Sequence, residues 1–133
     1  MAKWTIYDYI HPQQGNLMRS WSERLQVKER AKLDFKVDVL AIHGTQLIPN
    51  VVSPTGVSSI FKLKVQGQVK LRPMLCEGPG DAISFTFLLG AKEVQFELVP
   101  SGAPEIAANY RKDLVVHPTR RCLHERANRQ TKS

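Results

Sequence analysis

The chain has 133 residues, enough for one domain of ordinary size and for a packed core without staples. With 42% hydrophobic and 23% charged residues it reads as a globular protein, which excludes disordered, collagen-like and low-complexity classes. Two cysteines, Cys76 and Cys122, stand far apart with no histidine at ligand spacing, so neither a zinc site nor a disulfide framework is expected. The formal charge of +7 favours polyanionic partners.

The start, MAKWTIYDYI, lacks the continuous apolar run of a signal peptide, and no stretch approaches a membrane span. Residues 3–10 are rich in aromatic and β-branched types and predict a first strand, ended by His11, Pro12 and Gly15. Asn16 then caps a helix whose Leu17, Trp21 and Leu25 form a core stripe. From Val27 to Ile42 two patterns coexist. Leu33, Phe35, Val37 and Val39 alternate as in a strand, whereas Leu33, Val37, Leu40 and Ala41 form a helical stripe; the length and the absence of a breaker before Gly44 favour helix.

Residues 44–59, with Pro49, Pro54 and Gly56, read as a loop. IFKLKVQGQVKLRPML follows as a hairpin turning at Gln66, Gly67 and Gln68, with Leu63 opposite Leu71 and Lys62 opposite Arg72. In that register Lys62, Lys64, Lys70 and Arg72 share one face, joined only by Ser84 and Thr86 of the next strand and by no acid. The face reads either as a phosphate-binding surface or as an ordinary solvated one. CEGPGD is a turn, AISFTFLLG a strand with Ile83, Phe85, Phe87 and Leu89 on one side, and Val94, Phe96 and Leu98 one more short strand.

A last helix opens at Pro104 and Glu105, shows Ile106, Tyr110 and Leu114 on one face, and stops at His117-Pro118. Beyond it a short helix fraying into a tail is expected. Residues 111–133 hold seven cations against Asp113 and Glu125, a surplus of +5 that either binds RNA or aids solubility. The expected organisation is a domain over residues 1–118 and a basic tail over 119–133. Signatures of hydrolases, phosphate loops, zinc proteases and dinucleotide folds are absent, and His11, His43, His117 and His124 are scattered.

The segments NLMRSWSERL, RAKLDFKVDVL, FKLKV, VKLRPML, FTFLLGAKE and PEIAANYRKDL, in this order over residues 4–114, resemble the RelE/ParE toxin superfamily, in particular its phage-derived HigB-type branch. The resemblance implies an α+β fold, a small antiparallel-rich sheet against an N-terminal helical hairpin, with a C-terminal helix. It also implies a cytoplasmic, ribosome-dependent endoribonuclease in a bacterial or phage-infected cell, with messenger RNA and a cognate antitoxin as partners and no cofactor. Carried over by position, Lys64, Arg72 and Glu93 are the catalytic candidates, with Lys64 or Glu93 as base. Lys62, Lys70 and Lys92 contact RNA phosphate, and the tail's Arg120, Arg121 and Arg126 add to them. One departure stands out, because no His or Tyr occupies the last predicted strand or the segment just after it. The alternative is a non-catalytic member that binds RNA or a protein target, as the gyrase-poisoning branch does.

Overall fold

In the computed structural model, which describes residues 4–81 and 83–126, a six-strand path forms the centre of the molecule. The elements are β1 (Thr5–His11), β2 (Gly15–Asn16), α1 (Leu17–Glu23), α2 (Val27–His43), β3 (Val52–Pro54), β4 (Phe61–Leu63) and β5 (Lys70–Leu71). There follow β6 (Met74–Glu77), β7 (Ser84–Leu89), β8 (Lys92–Val94), β9 (Glu97–Val99), α3 (Ala103–Val116) and β10 (Arg121–Leu123). The main sheet runs β10-β1-β7-β6-β4-β3; β1 and β7 are parallel and their other neighbours antiparallel. The class is α+β.

Alternation in the strands feeds two cores. Ile6, Leu63, Leu75, Phe85 and Phe87 meet Met18, Leu33, Val37 and Leu40 of α1 and α2 on one side. Tyr9, Met74, Cys76 and Leu88 meet Ala103, Ala107 and Leu114 of α3 on the other. Strand β7 lies between them, and its first five residues are buried, which explains a nearly unbroken apolar sequence. The helices start where their caps predict. The Asn16 side chain accepts from the Arg19 amide at 2.8 Å, Glu29 accepts from the Gln26 amide at 3.2 Å, and Pro104 and Glu105 occupy the first turn of α3. The segment with two patterns is therefore helix. Among the described residues no helix is long and apolar enough to cross a membrane.

Four expectations are corrected. The hairpin register is displaced by two residues: Phe61 pairs with Leu75, Lys62 with Met74 and Val65 with Leu71, and residues 66–69 form a longer loop. A shift of two preserves the faces, so Leu63 and Leu71 are buried as the alternation requires. The stretch read as a loop supplies β3 at the sheet edge, where Pro54 is tolerated. Instead of one further strand there is a β8–β9 hairpin turning at Gln95-Phe96, and β5, β8 and β9 form a second, three-stranded sheet. Residues 121–123 form an antiparallel strand on β1 in place of a fraying helix, with Asp8 opposite Cys122.

Candidate functional site

The four cations expected on one wet face are divided by burial. Lys70 is exposed, Lys62 and Lys64 are half-buried, and Arg72 is only 4% exposed. The Arg72 guanidinium donates to the carbonyl oxygens of Leu71 at 2.9 Å and Val65 at 3.5 Å, to Gln66 Oε1 at 3.1 Å and to Glu93 Oε1 at 3.1 Å. It closes the base of the 66–69 loop, which accounts for the displaced register. Arg72 and Glu93, two of the catalytic candidates, thus spend their polar groups on each other and on the loop.

The expectation that no acid accompanies these cations also fails. Glu93 is the cross-strand neighbour of Lys70, and Glu93, Glu97 and Glu105 line a cleft of ≈ 450 Å³ together with Lys62. Ser84 and Thr86 are buried beneath α3 rather than exposed; their hydroxyls donate to the Asp81 and Gly78 carbonyls. The tail cations are engaged by the body of the molecule as well. Arg120 pairs with Asp113 at 2.5 Å, Arg121 with Asp81 at 3.1 Å while lying 3.8 Å over the Tyr7 ring, and Arg126 with Asp38. Arg129 and Lys132, part of the expected basic surplus, lie outside the described residues.

A constellation absent from the sequence reading appears where β10 meets β1. Asp8, 1% exposed, accepts from Asn16 Nδ2 at 2.9 Å, and its other oxygen lies 2.8 Å from His124 Nδ1. A carboxylate offers only acceptors, so Nδ1 carries the hydrogen of this contact. The His124 ring also packs 5.4 Å from that of Phe87, which fixes its plane. It lines a cleft of ≈ 560 Å³ between α2 and β10, whose walls include Asp38, Glu125 and Arg126. Cys122 beside it is no activated nucleophile: burial, and then the Asp8 charge, push its thiol up.

Comparison with protein-family models, curated proteins and solved structures gives no significant match. The chemistry must therefore be read from the side chains. A buried carboxylate that orients an imidazole, here with a side chain 6% exposed at the edge of the cleft, is an arrangement that can take up and return a proton. The exposed lysines 70 and 92 can hold phosphate as point charges. Among the described residues no group of three or more His, Cys, Asp or Glu is placed to hold a metal ion. The sequence carried one usable signal for the dyad, an Asp in an otherwise apolar strand; its partner is 116 residues away and becomes visible only once β10 is paired.

Proposed function

We propose that the chain is a RelE/HigB-like toxin-type protein that cuts messenger RNA on the ribosome in the bacterial cytoplasm, with a cognate antitoxin covering its basic surface. The observation that carries this reading is the Asp8–His124 pair at 2.8 Å, which supplies the proton-transfer group that the sequence lacked at its expected place. In the proposed step His124 Nε2 takes the proton of a ribose 2′-hydroxyl as its oxygen attacks the adjacent phosphorus. The bond to the 5′ oxygen breaks, the proton passes to that oxygen, and a 2′,3′-cyclic phosphate and a 5′-hydroxyl remain. Arg126 borders the same cleft as His124 and holds the phosphate beside the cut, while Lys70 and Lys92, which line a separate cleft, hold the strand farther along. The succession of strand, two helices, strand meander and helix supports the same reading.

A second reading, a non-catalytic module of this fold that binds RNA or a protein target, is favoured by the internal engagement of Arg72 and Glu93. The test is cleavage of a message on translating ribosomes by the wild type and by His124→Gln, whose amide can still bond Asp8. A nuclease loses about 100-fold or more in rate with its fold intact. Wild-type protein that halts growth yet cuts nothing establishes the binding module instead.

A further inference from the structure

We infer that the tip of the β8–β9 hairpin and the adjoining wall of α1 form a path for single-stranded RNA, in which Phe96 stacks on an unpaired base and Lys70 and Lys92 hold phosphates. The inference rests on the RNA reading above and deepens it. Three observations carry it. The first is the turn itself, whose central residues Gln95 and Phe96 have φ of 52° and 68°. Two-residue hairpin turns of this hand take Asn or Gly because side chains resist positive φ, and a bulky aromatic there is an outlier. Phe96 recovers nothing by packing, since it is 91% exposed. A strained backbone holding an aromatic ring in water is a cost that folding does not explain.

The second observation is charge. Phe96, Lys70 and Lys92 line one cleft of ≈ 330 Å³ between β8 and the 66–69 loop together with β5. The carboxylate there belongs to Glu93, the cross-strand neighbour of Lys70, and its Oε1 is engaged by Arg72 at 3.1 Å; Glu97 and Glu105 lie in the neighbouring cleft that Phe96 also borders. The third is continuity. Lys92 also lines a second cleft of ≈ 410 Å³, which holds Trp21 and Arg24 and, among its described lining residues, no acid. The Trp21 ring lies so close over Gly90 that a Cβ there would come within 2.1 Å of it. Phe96 at one end and Trp21 at the other thus flank three cations, Lys70, Lys92 and Arg24, along two clefts that share Lys92. Single strands are held in this way, with bases on rings and phosphates on cations, whereas a duplex keeps its bases stacked on one another.

The experiment is fluorescence anisotropy with a labelled single-stranded RNA of about 12 nucleotides, within the span such sites cover, and with the same strand annealed to its complement. Phe96→Ala should weaken single-strand binding roughly tenfold, Phe96→Trp should restore it, and Phe96→Leu should not. Phe96→Gly should raise the melting temperature by relieving the turn, while weakening binding as alanine does. Lys92→Gln should lower the slope of log affinity against log salt by about 0.7. Equal affinity for wild type, Phe96→Ala and Phe96→Leu overturns the proposal, as does duplex bound as tightly as single strand. A Phe96→Ala variant that binds RNA normally but changes self-association makes the tip a protein contact and also overturns it. Failure here is separable from failure of the nuclease reading: a chain that binds through Phe96 but cuts nothing keeps this path and loses the nuclease, and cleavage indifferent to Phe96→Ala does the reverse.

Discussion

Arg72 shows what alternation can and cannot tell. Period two assigned it to the same side of the hairpin as Lys62 and Lys64, but a side of a sheet is not thereby wet, and a guanidinium with five donors is suited to closing a loop from inside. Replacing it leaves Glu93 and three acceptors without their donor in a site 4% exposed. Arg72→Ala is therefore expected to cost about 3 kcal/mol or more in urea unfolding, the scale for breaking a buried pair. Lys64→Ala, at a half-buried position with no such network among the described bonds, should stay within about 0.5 kcal/mol. An Arg72→Ala protein that unfolds like the wild type would release the side chain from its structural duty and return it to the catalytic candidates. His124 is the opposite case: one histidine among four, given meaning by a carboxylate on the first strand.

At the scale of elements, legibility followed length. Helices α1, α2 and α3 were readable because seven to seventeen residues display a period and because Asn16, Gly44 and Pro104 mark their ends. Strands β3 and β10, whose sequences read as loop and helix, have three residues each, too few for any period, and exist because a neighbour offers a free ladder. Helix α3 also depends on one polar joint. Tyr9 of β1 donates to Asp113 at 2.5 Å, and Arg120 grips the other oxygen of that carboxylate. The Tyr9 hydrogen bond first, and Arg120 second, hold the Asp113 carboxyl below its ordinary range. A carboxyl that ionises more readily folded than unfolded adds stability above the ordinary range, and that stability is lost as pH falls through the folded value. The melting temperature of the wild type should exceed that of Asp113→Asn at neutral pH, and the gap should close on acidification below about pH 4. A gap that persists unchanged to about pH 2 would assign the joint to packing rather than charge.

For the molecule as a whole, β10 turns what read as a separable basic tail into part of the sheet. It covers the backbone edge of β1, brings Arg120 to Asp113 and Arg121 to Asp81, and gives Asp8 its imidazole. Deleting residues 119–133 is accordingly expected to do more than weaken RNA binding and flatten its salt dependence. It bares an edge strand and leaves the buried Asp8 without His124, so the truncated chain should self-associate in sedimentation and lose a cooperative melt. A monomeric truncation with a sharp melt would restore the tail to a separate role.

Trp21 has one more consequence, an optical one. The chain holds two tryptophans, both packed against the core, but their further surroundings differ: Trp4 stacks 5.1 Å from Phe85, whereas Trp21 also lines the cleft beside Arg24 and Lys92. Indole emission responds to what lies against the ring, so a nucleobase entering that cleft dims one of the two emitters and leaves the other alone. The protein carries its own reporter, with Trp4 as the internal standard.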